Sequence, residues 1–233
     1  MAPTEPSPDD ATRAPEDPRA FAALVYRNMA LGAVVTATVA ATLTRLPALL
    51  DAILLTRLRW AFMALLAALA VVFSQYRQKL SPAQAGALFF SYASLFGLLV
   101  AMALGSFERA DFVQLLGLAL GAFLLTALLG HASGLDLRKP RAWFDVVREA
   151  VVVTLASRAM ASQGPWFEQL LALLGTVLSL AVIASEAQSI QQDGLVATRE
   201  DRGRLAWLYA TTMYLHFFRL LYLLYRLLRR RPR

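Results

Sequence analysis

Apolar runs of roughly 17 to 25 residues, the length a helix needs to cross about 30 Å of hydrocarbon, recur along this chain between short clusters of charge. They predict membrane-crossing helices over residues 24–43, 60–76, 82–105, 112–131, 144–161, 166–188 and 206–228. Arg45 and Pro47 close the first run, and the stretch 46–59, with Asp51, Arg57 and Arg59, is expected to lie at the interface. Ser81-Pro82 puts a proline in the first turn of the third run, where its missing N–H costs little. Gly117 and Gly121 in the fourth form a small-xxx-small pattern that lets helices approach closely in lipid, and they are the expected helix-packing residues. The fifth run carries Arg148 and Glu149 in its first turns and Arg158 in its last; these charges are expected to snorkel toward the headgroups. The expected fold class is an all-α membrane protein of about seven transmembrane helices. Residues 1–20 form a disordered polar tail, 21–229 a single helical bundle and 230–233 a basic tail.

Composition agrees with this pattern. The chain is 58% hydrophobic and 17% charged, an apolar surplus that no soluble core of this size absorbs. Rich in Pro, Asp and Glu, the N-terminus has no basic region leading into an apolar stretch, so it reads as a tail and not a signal peptide. There is no cysteine, which excludes disulfides and thiolate metal sites. A net charge of +7 and a pI near 10.2 raise nucleic acid as a partner. The basic residues, however, stand between the apolar runs and at the C-terminus, as topology signals do. With the N-terminus inside, the inner loops hold twelve Lys and Arg and the outer loops five, favouring a cytoplasmic N-terminus. The five arginines from Arg226 onward then fall outside if the last run crosses, as its length predicts.

The last run holds the informative polar groups. Thr212, His216 and Arg219, spaced by four and three, share one helix face that is unsuited to lipid. Glu186, near the end of the sixth run, is the expected partner; a loop over 191–205 would bring it level with the early part of the seventh, with Arg219 deeper. Glu186, His216 and Arg219 are therefore the candidate pH-sensing or ion-pathway cluster, since burial and pairing push a carboxyl and an imidazole in opposite directions. A static interhelical tie explains the same residues equally well. His131 is expected to be interfacial, and Tyr209, Tyr214, Tyr222 and Tyr225 to serve packing and the aromatic belt. Two histidines without an H-E-x-x-H motif, no G-x-S-x-G with a base and no phosphate-binding glycine loop predict neither an enzyme nor a metal site nor a cofactor.

Several stretches in order resemble the Bax inhibitor-1, or transmembrane Bax inhibitor motif, family. They begin at Val25-Tyr26-Arg27-Asn28-Met29. Ser81-Pro82 with Leu88-Phe89-Phe90-Ser91-Tyr92-Ala93 resembles the family's third span, and Asp136-Leu137 its Lys-Arg-Asp-Leu turn. Glu186-Ala187-Gln188-Ser189-Ile190 is similar to the end of its sixth span, and Met213-Tyr214-Leu215-His216-Phe217-Phe218-Arg219-Leu220 to its seventh. The resemblance implies a seven-helix fold with the C-terminal helix central, a bacterial inner-membrane location and a pH-sensitive calcium leak sensed by two aspartates. Glu186 stands for the first aspartate, His216 for the second and Arg219 for a nearby asparagine; Lys79 or Arg77 would be the basic partner. An imidazole beside a guanidinium disfavours a hard divalent cation, so the altered pair implies pH sensing with calcium or another cation bound weakly. Besides the lipid bilayer, a membrane-protein partner is the other expectation, the chain then acting as a non-conducting regulator through helix contacts.

Overall fold

The structure is a computed structural model that describes residues 18–55, 58–77, 79–106, 109–132, 143, 146–148, 150–151, 154 and 165–228. The described elements are helices: α1 Pro18–Thr44, α2 Pro47–Leu55, α3 Leu58–Tyr76, α4 Pro82–Ser106, α5 Arg109–Ala132, α6 Pro165–Val196 and α7 Arg199–Leu228. Four of them, α1, α2, α4 and α6, start on a proline, the residue whose fixed φ and absent donor suit a first helical position. Ser81 caps α4 reciprocally with Gln84: the Gln84 amide donates to Ser81 Oγ at 3.3 Å and the Ser81 amide to Gln84 Oε1 at 2.9 Å. At nine residues α2 is too short to span, which fits the interfacial stretch expected there. Expected residues 1–17 of the tail, most of the fifth run with Asp136-Leu137, and the basic tail fall outside the described residues.

Among the described residues, four helices are long and apolar enough to cross a membrane, over Arg19–Thr44, Pro82–Leu104, Asp111–Ala132 and Trp166–Val196; Trp60–Tyr76 is a shorter apolar helix. The outer ones carry exposed side chains such as Val34, Val113, Leu125 and Leu128, an apolar girdle of the kind lipid covers. α6 is different, with 56% of its apolar stretch buried against 28–33% in the other three. α7 packs against α1, α4, α5 and α6 and buries Ala206, Ala210, Met213, Tyr214, Leu220 and Leu223. A helix enclosed by protein does not need the apolarity that lipid contact demands. This is why α7 tolerates Arg219 and Arg226, and why its composition does not mark it as a span.

Two expectations about the last hairpin are corrected. α6 runs to Val196, eight residues beyond the expected end at Gln188, and α7 starts at Arg199, well before Ala206. The expected loop over 191–205 is therefore mostly helix, and only Ala197 and Thr198 separate the two. Thr198 supplies the cap, with the Asp201 amide donating to its Oγ1 at 3.3 Å and that hydroxyl donating to Asp201 Oδ2 at 3.0 Å. Charged residues obscure this in the sequence because the helices, at about 48 and 45 Å, overshoot the hydrocarbon, so their ends are polar without being loops.

Helix contacts depend on other glycines than those expected. A Cβ on Gly117 or Gly121 would meet nothing within 4 Å, so this pair packs against no part of the described molecule. Close approach occurs at Gly130, where a Cβ would press on the Ala184 carbonyl and lie 2.8 Å from its Cα, and at Gly97, 2.9 Å from Thr36 O. Small-xxx-small spacing reports what a face could do; only the fold says whether a neighbour is there.

Candidate functional site

The tight turn at 197–198 sets the register of the α6–α7 hairpin, and register decides which polar groups meet. Tyr209 O–H donates to Asp193, and Arg202 Nη2 donates to the Gly194 carbonyl at 3.2 Å. Glu186 lies two turns before Asp193 on the same face of α6. Both open onto a cavity of about 650 Å³, whose lining also includes Phe73 and Arg77 at the end of α3 and Arg204, Leu205, Leu208, Tyr209 and Thr212 on α7. Two carboxylates and two guanidiniums thus share one space, although Glu186 itself is only 2% exposed. Thr212 Oγ1 donates to the Leu208 carbonyl at 3.0 Å, within its own helix. Arg204 Nη2 also donates to Asp201 Oδ1 at 2.6 Å; this hydrogen bond, with that from Thr198, holds the Asp201 carboxyl below its ordinary value.

Deeper along α7 lies a second polar centre. His216 is buried, and its Nδ1 accepts a hydrogen bond from Arg148 Nη1 at 3.1 Å. A guanidinium has donors and no acceptor, so the imidazole proton resides on Nε2. Arg148 is therefore not a snorkelling charge; at 2% exposure it points into the bundle. Arg219, one turn beyond His216, is half-buried and acts electrostatically on the Tyr92 phenol of α4. Where α1 meets α5, Tyr26 Oη lies 2.9 Å from His131 Nε2, the rings edge to face at 5.9 Å, and Glu186 acts on the same phenol through its charge.

Among the expected site residues, Glu186 and Arg77 are brought to one cavity, whereas Lys79, His216 and Arg219 do not line it. Asp193, Arg204 and Arg148 were missed. Asp193 was legible as a carboxylate seven residues beyond Glu186, once the helix is allowed to run past Gln188; the burial of Arg148 has no signature in sequence. Among the described residues no three His, Cys, Asp or Glu side chains gather as a metal site would require.

Residues 18–233, nearly the whole chain, match the family described as Inhibitor of apoptosis-promoting Bax1. The chain belongs to the Bax inhibitor-1 family. It is an integral membrane protein of that family, helical throughout its described elements. It is also 35% identical over 119 residues to an uncharacterised protein of Deinococcus radiodurans, a match covering 51% of this chain and 51% of that protein. The matched region thus spans about half the length of this curated relative. Of the two expected sensor residues, Glu186 stands at the cavity wall, whereas His216 accepts from Arg148 and does not line the cavity.

Proposed function

We propose that the chain is a pH-responsive ion leak protein of the bacterial inner membrane, with seven spans, a cytoplasmic N-terminus and the C-terminal helix at its centre. The observation that carries this is a nearly inaccessible carboxylate, Glu186, forming the wall of an open polar cavity beside Arg77 and Asp193. A carboxylate in that position responds to its charged neighbours. Proton uptake by Glu186 would remove the negative charge that faces Arg77 and alter access from the cavity to the bundle interior. Cations are the proposed cargo, but calcium only weakly. Calcium needs six to eight oxygen ligands, and the interior beyond the cavity presents His216, Arg148 and Arg219 in their place.

Flux into dye-loaded proteoliposomes at about pH 6 and about pH 8, which bracket the reference imidazole value near 6.5, tests the reading. Expected are a monovalent-cation leak that differs between the two conditions, little calcium signal, and loss of the pH difference in Glu186→Gln. A silent protein at both pH values, or an unchanged pH difference in that variant, overturns it.

A second reading draws on Gly117 and Gly121, whose open face among exposed leucines suits a membrane-protein partner and a regulatory, non-conducting role. It predicts a co-purifying membrane protein that is lost when both glycines are changed to leucine. Neither reading includes catalysis.

A further inference from the structure

Two helices bring the same order of chemistry to the cavity, read from the membrane boundary inward. On α3, Arg77 directly follows the apolar stretch Trp60–Tyr76, and Phe73 stands one turn deeper. On α7, Arg204 precedes the apolar run that begins at Leu205, and Leu208 stands one turn deeper. α6 adds Asp193 near the 197–198 turn, where the Tyr209 O–H donates to it. α3 packs against α2 and α4, with the Phe73 ring edge-on to Tyr92 at 6.5 Å, and faces α7 across the cavity. Arg77 is exposed and has no ion pair among the described residues. A guanidinium carries five donors, so Arg204 can bond Asp201 and a ligand together.

Size, depth and charge together define what fits. A volume of about 650 Å³ has room for on the order of twenty waters, far more than one cation needs, and a bare cation makes no use of Phe73 and Leu208. From Arg204 to Thr212 the lining runs about 12 Å along α7, deeper than the roughly 5–8 Å of one headgroup layer, so it passes from headgroup depth to the edge of the hydrocarbon. Two guanidiniums and two carboxylates sum to no net charge, which suits a zwitterion better than an anion. We propose that the cavity is a binding site for a phospholipid whose zwitterionic headgroup carries a primary ammonium, as phosphatidylethanolamine does. The phosphate lies between Arg77 and Arg204, whose planar forks match its oxygens. The ammonium donates to Asp193, and the glycerol and first methylenes cover Phe73 and Leu208. A quaternary ammonium has no N–H for that carboxylate, so phosphatidylcholine fits less well. This site goes beyond the leak reading and does not rest on it.

Native mass spectrometry of the full chain, purified in detergent and offered equimolar dioleoyl phosphatidylethanolamine, phosphatidylcholine and phosphatidylglycerol, counts the lipid each molecule retains. One phosphatidylethanolamine is expected to be held in preference to the other two. Arg77→Gln is expected to weaken its retention about tenfold, the value of a hydrogen bond to a charged group. Lys79→Gln, an exposed change on a residue outside the cavity lining, is expected to leave it unaltered. Asp193→Asn keeps an acceptor for Tyr209 and removes the charge, so the preference over phosphatidylcholine and phosphatidylglycerol is expected to narrow; it serves as the test if Arg77→Gln fails to fold. Equal retention of the three lipids, preference for the anionic one, equal losses in Arg77→Gln and Lys79→Gln, or an undiminished preference in Asp193→Asn overturns the site. Displacement of the lipid by an equal concentration of water-soluble glycerophosphoethanolamine overturns the lipid as the source of the headgroup. Because retention is read without flux, a chain that selects the lipid but conducts nothing in proteoliposomes overturns the leak reading alone, and one that conducts without selecting it overturns the site alone.

Discussion

Thr36 shows how much one buried hydroxyl can hold. Its O–H donates to the Ala93 carbonyl at 2.7 Å, which obliges the Tyr214 O–H to be the donor in their mutual contact, and so α1, α4 and α7 meet at one oxygen. Tyr214 is itself buried, packed among Phe89, Phe96 and Phe218. Thr36→Val should therefore cost about 1–3 kcal/mol, the penalty for stranding buried polar groups, measured as a lower unfolding temperature in detergent. Tyr214→Phe should cost less, because Thr36 keeps its bond to Ala93; the reverse order would refute this assignment of donors. At this scale the sequence singled out Glu186, His216 and Arg77 as candidates, since a charge or imidazole beside a long apolar run needs protein or water around it. It could not pair them. Arg148 and Arg158 look alike in the chain, and that Arg148 turns inward to His216 depends on how a distant segment docks.

Elements differ in how tightly they meet, and the glycines measure it. Gly130→Ala forces backbone apart where α5 crosses α6 at Ala184 and is expected to destabilise by about 1–3 kcal/mol. Gly121→Ala meets open space and should be neutral or gain up to about 1 kcal/mol from helix propensity. Equal effects in a thermal unfolding assay would mean that α5 is rotated from the orientation described. The α6–α7 turn supplies a pH prediction. Asp201 is held below its ordinary value of 3.8, first by the hydrogen bond from Arg204 and then by that from Thr198. A carboxyl whose folded value is depressed contributes its full stability above the ordinary value and loses it as pH falls through the folded one. Amide exchange at residues 198–202, corrected for its intrinsic acid dependence, should therefore quicken below about pH 4, and Asp201→Asn should remove that pH dependence.

For the molecule as a whole, the division is between helices that face lipid and the hairpin they enclose. Leu125, near the middle of α5, is 60% exposed, so Leu125→Arg should cost about 2.5–3.5 kcal/mol of membrane insertion. Arginine is already present on α7 at 219, where protein surrounds it. Insertion efficiency in a translocation assay checks the contrast, and an unaffected Leu125→Arg would mean that this face of α5 meets water or protein.

What the sequence determined by itself is the chemistry of each segment against its solvent. Runs of apolar residues of membrane length, prolines at helix starts and the order of family-like stretches each depend on neighbours in the chain, so they survive without coordinates. Tertiary structure alone decided that α6 and α7 continue to a two-residue turn, and that Asp193 and Arg204 join Glu186 and Arg77 at one cavity. It also decided that His216 pairs with Arg148 and that Gly130, not Gly117 or Gly121, sits at a close helix contact. These depend on register and on which face of each helix is covered. In a bundle, polar and small residues take their roles from the neighbour packed opposite, and the local pattern of the chain does not name that neighbour.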